Sequence, residues 1–207
     1  MKKFIRDLVV KEKKVLNDQY FLLILESNSP LPDIFPGQFV EVKVDDAPST
    51  FLRRPISVNF VDYLQNELWL LIQIVGDGTK KLSTLKSGSQ LNLIFPLGNT
   101  FSIPEKQNTN VLMIGGGVGI APLLFLGSYL NDRDYKCSFL LGGRSKPNLL
   151  QLDDFMKYGE VYTTSEDGTH GEKGFVTQHS ILTHKKFDMI YTCGPTPMMK
   201  AVANYAA

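Results

Sequence analysis

Apolar and polar positions follow two different patterns along the chain, and the change comes near residue 105. Before it, short β-rich runs stand at Tyr20–Glu26, Gln38–Val44, Ile56–Phe60, Leu68–Val75 and Gln90–Ile94. Turn residues break them: Pro30, Pro32, Pro36-Gly37, Pro48, Gly76–Gly78 and Gly88. Short, evenly spaced strands predict an antiparallel sandwich or barrel. A single short helix is predicted at Thr79–Leu85. After residue 105, the strands Val111–Ile114, Cys137–Leu141, Val161–Thr164 and Met189–Cys193 alternate with helix-length segments. Those segments are Ile120–Leu130, Leu149–Tyr158, Phe175–His184 and Pro195–Ala206. Such βαβ alternation predicts a parallel sheet with helices on both faces. The fold class is therefore β + α/β, an antiparallel sandwich or barrel over 1–104 followed by a parallel-sheet domain over 105–207. Pro104–Asn110 reads as the linker.

Composition narrows the function classes. The 207 residues carry 22 Lys+Arg and 21 Asp+Glu, a net charge of +1, so no nucleic-acid or anionic-membrane partner is expected. No apolar run nears the roughly 20 residues of a membrane span. The charged start Met1–Asp7 lacks the apolar stretch of a signal peptide. Cys137 and Cys193, the only cysteines, form no disulfide framework, and a reduced cytoplasmic setting is the default. His170, His179 and His184 lack metal-ligand spacing and read as surface or packing residues, so no metal site is expected. The acidic pairs Asp45-Asp46 and Asp153-Asp154 read as solvated charge or helix-start residues, and Lys11–Lys14 as a solvated face.

Ile114-Gly115-Gly116-Gly117-Val118-Gly119-Ile120 is the most informative stretch, lying between a strand and a helix. Glycines there let backbone approach a phosphate, and a helix N-terminus favours negative charge. The same stretch could serve only a tight strand-to-helix turn, although four glycines in five positions exceed what a turn requires. The Gly-x-Gly-x-x-Gly fingerprint fails, because Ile120 stands where its last glycine belongs. The second strand ends in Leu141-Gly142-Gly143-Arg144 rather than in a ribose-binding acid.

Several motifs follow one another in order: Arg53-Arg54-Pro55-Ile56-Ser57, Gly76-Asp77-Gly78-Thr79, Pro96-Leu97-Gly98-Asn99-Thr100, the glycine loop, and Cys193-Gly194-Pro195. Over essentially the whole chain this succession resembles the ferredoxin-NADP⁺ reductase superfamily. Within it, the chain most resembles the electron-transfer subunits of class B dihydroorotate dehydrogenases. The resemblance implies an FAD-binding β-barrel followed by an NAD-binding α/β domain. It also implies an FMN-containing dihydroorotate dehydrogenase catalytic subunit as partner in a hetero-oligomer. The implied activity is flavin-dependent NAD(H) oxidoreduction, with electrons passing between that partner and NAD(H) in pyrimidine biosynthesis. A related reductase serving a different partner, of ferredoxin-NADP⁺ or sulfide reductase type, is the alternative. A binding module that has lost its flavin is a second.

The resemblance assigns roles residue by residue. Arg54 would meet the FAD diphosphate, and Pro55 and Ile56 would lie along the flavin. Ser57 would place its hydroxyl near flavin N5. Leu71, Ile72 and Gln73 match the strand bordering the flavin, although core packing is the plainer reading for Leu71. Gly78 and Thr79 would offer backbone amides, and Thr79 its hydroxyl, to a second phosphate; simple capping fits Thr79 as well. Gly115, Gly116, Gly117 and Gly119 would receive the dinucleotide, and Cys193 would lie near the reacting nicotinamide without acting as a nucleophile. After the third strand, where NADP-specific relatives carry Ser-Arg, this chain has Ser165-Glu166-Asp167. Glu166 and Asp167 would repel a 2′-phosphate and accept the ribose hydroxyls of NAD, with Arg144-Ser145-Lys146 as a rival basic site.

Three departures stand out. Ile72-Gln73 replaces a frequent Tyr-Arg, and Thr100 a frequent glycine. The family normally continues into a cysteine-rich segment holding a [2Fe–2S] cluster, which ordinarily needs four cysteine ligands. Two cysteines cannot supply them, so the expectation is a fragment without the cluster, which would be present only with such a C-terminal segment.

Overall fold

Phe4–Val15 forms the longest strand, β1, where the sequence reads mainly as charge. Its Leu8 and Val10 are fully buried, and a bulge between Val10 and Glu12 then shifts the register. That break in alternation hides the strand from a period-two reading. The Lys11–Lys14 run is not simply solvated. Lys11 Nζ donates to Glu67 Oε1 at 2.5 Å and Lys13 Nζ to the Ser83 carbonyl at 2.6 Å. The structure is a computed structural model describing residues 2–45, 47 and 50–206; Asp46 and Pro48, noted above, lie outside the described residues.

The chain divides into two units, Met1–Phe101 and Ser102–Ala207. In the first, β2 (Tyr20–Glu26), β3 (Phe39–Val42), β4 (Arg54–Ser57), β5 (Phe60–Asp62), β6 (Glu67–Gln73) and β7 (Gln90–Leu97) join β1 in one antiparallel sheet. The order is β4-β3-β7-β1-β2-β6-β5. The two edge strands are consecutive in the chain, separated only by Val58 and Asn59. Across that step Val58 N–H donates to Gln38 O at 3.0 Å, on the β3 side, and Asn59 N–H to Trp69 O at 2.9 Å, on the β6 side. The segment from Arg54 to Asp62 therefore joins the two ends of the sheet and curls it into a barrel. Sequence patterning expects one strand at Ile56–Phe60; the structure bends the chain inside it. Asn59 and Gln38 are both buried at the bend, and Gln38 Oε1 accepts the Phe35 N–H at 2.8 Å. Helix α1 (Asp77–Leu82) follows β6 and buries Leu82.

The second unit has five parallel strands: β8 (Asn110–Gly116), β9 (Lys136–Gly143), β10 (Glu160–Ser165), β11 (Glu172–Lys173) and β12 (Met189–Cys193). Their order is β11-β10-β9-β8-β12. Val111, Leu112, Met113 and Ile114 in β8 are all fully buried, as a strand covered on both faces requires. Burial of each such side chain contributes roughly 1.5–3 kcal/mol. On one face lies α2 (Ala121–Asn131), whose Gly127 meets Phe139; a methyl at Gly127 would stand 2.4 Å from Phe139 Cζ. On another lies a cluster of Leu112, Ile114, Leu140, Val176, Ile181, Leu182 and Val202. Val202 comes from α5 (Thr196–Ala206).

Two predicted helices are mostly not helical. Leu149–Tyr158 shrinks to α3 (Leu152–Phe155), because Gln151 just before it takes a left-handed φ of 54°. Phe175–His184 breaks into a 3₁₀ turn and α4 (Ile181–His184), because His179 between them is extended. There the His179 ring is buried and its Nδ1 accepts the Ile181 N–H at 3.0 Å, a packing role.

Candidate functional site

In the barrel, two adjacent arginines have opposite employment. Arg53 is fastened to the framework: its guanidinium donates to Glu41 O at 3.2 Å, to Asn92 O at 3.1 Å and to Asn92 Oδ1 at 2.5 Å. Asn92 in turn donates to Asp7 at 2.6 Å. Arg53 therefore has a structural role in the barrel. Arg54, first residue of β4, is half-buried, and its guanidinium has no hydrogen-bond or ion-pair partner among the described residues. Beside it, a methyl at Gly78 would lie 2.5 Å from Arg54 Nε and 3.3 Å from Thr50 Cγ2. Thr50 is 9% exposed, and its buried hydroxyl has no partner among the described residues.

Thr50, Arg54 and Gly78 thus form a cradle of forked donors, an unsatisfied hydroxyl and an absent side chain. Its chemistry fits an anion, and a diphosphate in particular, since the guanidinium fork matches phosphate oxygens. Thr50 is the residue that sequence reasoning missed, because nothing in the local pattern marks a lone threonine before a basic pair. Thr79 is corrected in part. Its hydroxyl donates to Gly76 O at 3.1 Å and accepts the N–H groups of Val75 and Gly76 at 2.9 and 3.2 Å. That hydroxyl is committed to the start of α1, leaving Thr79 only its backbone amide for a ligand. Along β4, Pro55 is exposed and Ile56 and Ser57 are partly exposed. Leu71 and Ile72 are 1% and 0% exposed, packed in the core, so of that trio Gln73 alone leaves its side chain partly open.

In the second unit, β8 continues to β9 on one side and is paired with β12 on the other. The strand order therefore reverses at β8, where ligands of open α/β sheets bind beyond the carboxyl ends. Gly115 pairs in register with Cys193 at this point. The glycines are demanded by close packing. A methyl at Gly119 would stand 2.3 Å from Gly194 Cα, one at Gly116 2.9 Å from Met198 Sδ, and one at Gly115 2.8 Å from Leu123 Cδ1. Gly117 turns the chain at a φ of 56°. The tight-turn requirement and the open backbone thus coincide. Cys193 is half-buried, and desolvation pushes its thiol up; burial pushes the Cys137 thiol up to about 12. Both cysteines are free, and both stay protonated near neutrality, unsuited to nucleophilic chemistry.

The outer edge of this sheet brings the acidic stretch and its basic rival together. Glu166 N–H donates to Gly143 O at 3.1 Å and Asp167 N–H to Arg144 O at 3.2 Å. Ser165, fully buried, exchanges hydrogen bonds with the backbone of His170. Asp167 Oδ1 accepts from Thr169, which holds its carboxyl below the usual carboxylate range. The Glu166 side chain is exposed, and its carboxylate has no partner among the described residues. Among those residues no cluster of His, Cys, Asp or Glu could hold a metal ion, and no helix is long and apolar enough to cross a membrane.

A barrel with an anion cradle, followed by a parallel sheet with a glycine loop at its reversal point, defines the two-part fold of flavin-dependent nicotinamide oxidoreductases. Residues 113–204 match the oxidoreductase NAD-binding domain family. The chain is 35% identical over 206 residues to the electron transfer subunit of dihydroorotate dehydrogenase B (NAD(+)) of Fusobacterium nucleatum subsp. nucleatum, covering 97% of this chain and 79% of that protein. The same subunit of Lysinibacillus sphaericus is 36% identical, over 95% of this chain and 76% of its own. Among solved structures, an NADH-dependent reduced ferredoxin-NADP oxidoreductase studied for flavin-based electron bifurcation aligns with a TM-score of 0.84 at 30% identity, covering 96% of this chain and 71% of that one. The flavohem-like FAD/NAD-binding domain of a Vibrio cholerae nitric oxide dioxygenase shares the fold, with a TM-score of 0.78 at 19% identity over 97% of this chain and 91% of its own. The chain belongs to the family of dihydroorotate dehydrogenase B (NAD(+)) electron transfer subunits.

Proposed function

We propose that this protein carries FAD in its barrel unit, 1–104, and receives NAD(H) on its α/β unit, 105–207. It passes electrons between NAD(H) and an FMN-containing, dihydroorotate-oxidising catalytic subunit in the cytoplasm. The observation that carries the flavin reading is the cradle, in which a half-buried Arg54, its guanidinium partnerless among the described residues, stands over Gly78 beside the orphaned Thr50 hydroxyl. Bound FAD supplies hydride exchange with nicotinamide and single-electron exchange with a one-electron carrier.

The chain's own groups bind and orient. Arg54 offers a fork of donors to a diphosphate, Gly78 leaves the space, and the Thr50 hydroxyl gains an acceptor it otherwise lacks. Pro55 and Ile56 give the flavin an apolar border, and the Ser57 hydroxyl serves flavin N5. The Gly115–Gly119 loop presents open backbone to the dinucleotide. The neutral Cys193 thiol places a small, uncharged surface beside the nicotinamide. Hydride transfer needs no side-chain base, and none is assigned.

The 30% identity to a ferredoxin-NADP oxidoreductase supports a second reading, in which ferredoxin is the partner. One assay separates them. The purified protein is mixed with the dihydroorotate-oxidising subunit, and NAD⁺ reduction is followed on adding dihydroorotate. NADH formation that needs both proteins is expected. NADH formation only with reduced ferredoxin in place of dihydroorotate and its subunit would favour the second reading.

A further inference from the structure

Thr169 joins the loops that leave β9 and β10. Its hydroxyl accepts the Lys146 N–H at 2.9 Å and donates to Asp167 Oδ1 at 2.7 Å, while its own N–H donates to that oxygen at 2.9 Å. With the Glu166-to-Gly143 and Asp167-to-Arg144 backbone bonds, these contacts make one fastened unit of the two loops. The carboxylates within it differ. Asp167 Oδ1 is committed to Thr169, whereas the exposed Glu166 carboxylate is partnerless among the described residues. The Arg144 guanidinium is likewise exposed and partnerless among the described residues.

We infer that Thr169 is a positioning residue for nicotinamide-nucleotide discrimination: by tying the Lys146 amide to the Asp167 carboxylate, it fixes Glu166, the free carboxylate of this edge, relative to Arg144. The inference rests on the reading that the end of β10 meets the adenosine ribose. A carboxylate there accepts hydrogen bonds from ribose hydroxyls and repels a 2′-phosphate, while a guanidinium attracts that phosphate. Both groups sit on loops, so their balance depends on what holds the loops in register. The bridge needs a hydroxyl, because it accepts and donates at once. Valine has the shape without either capacity; serine keeps both.

The test compares T169V and T169S on the FAD-loaded protein, with E166Q as a control on the underlying reading. NAD⁺ and NADP⁺ affinities are measured by titration calorimetry, and KM and kcat for NADH and NADPH by flavin reduction. T169V is expected to weaken NAD⁺ about tenfold, or about 1.4 kcal/mol, and to narrow the NAD⁺:NADP⁺ ratio. KM for NADH should rise while kcat stays within about twofold, and T169S should rescue both. Unchanged affinities in T169V, or T169S failing as T169V does, would overturn the inference. Thr169 is exposed, so the core is untouched; thermal melts check folding, and T169A serves if T169V does not fold. An E166Q ratio equal to wild type would bring down the ribose reading itself. A shifted E166Q ratio beside an unshifted T169V would remove Thr169 alone.

Discussion

A methyl group on Gly78 would stand 2.5 Å from Arg54 Nε, so the glycine is what lets the guanidinium lie against the start of α1. G78A should therefore displace Arg54 while sparing the barrel. The flavin-to-protein absorbance ratio of the purified variant should fall, with FAD affinity weakened at least about tenfold, equivalent to about 1.4 kcal/mol. Its circular dichroism should match wild type. Full flavin loading in G78A would mean that Arg54 does not hold the cofactor.

Gly127 lies inside α2, where alanine ordinarily gains about 1 kcal/mol of helix propensity. Here the added methyl would meet the fully buried Phe139 ring at 2.4 Å. Overpacking of this kind costs roughly 1–3 kcal/mol, so it outweighs the gain. Chemical denaturation should find G127A less stable than wild type; a more stable variant would show that the ring yields freely.

His179 gives stability a pH dependence with a definite sign. Burial holds its pKa below the ordinary 6.5, against a smaller opposing pull from Glu172. Its Nδ1 also accepts the Ile181 N–H, which the protonated ring cannot do. Between the lowered folded pKa and about 6.5, the unfolded chain binds more protons, so stability falls as pH drops below about 6.5. Above that pH the ring is neutral in both states and this contribution is level. In H179N, denaturation midpoints should depend less steeply on pH between about 5 and 7. An unchanged slope would assign the dependence to other groups.

What was legible in the sequence followed from regular periods. The buried strand runs of the second unit are continuous and apolar, and their alternation with helical segments announced a parallel sheet. The barrel was legible as a class, but its closure was not. The bend at Val58-Asn59 turns one apparent strand into two by moving hydrogen bonds from Gln38 to Trp69, a tertiary event without a local signature. β1 was hidden by charge and by its bulge. In the cradle, Arg54 and Gly78 were legible only as members of an ordered motif set. Thr50 was not legible, because an orphaned hydroxyl is a property of packing. The same holds for Thr79, whose hydroxyl could have gone to a ligand or to a cap until its three backbone partners were seen.

The flavin itself offers the most direct measurement. The purified protein is denatured by heat, and the released chromophore is identified by chromatography and counted per chain, for wild type and for R54A. One FAD per wild-type chain is expected, because the cradle grips a diphosphate and a single guanidinium dominates it. R54A should stay folded and release several-fold less. Release of FMN, or an R54A protein as fully loaded with FAD as wild type, would contradict the assignment of Thr50, Arg54 and Gly78 to the FAD diphosphate.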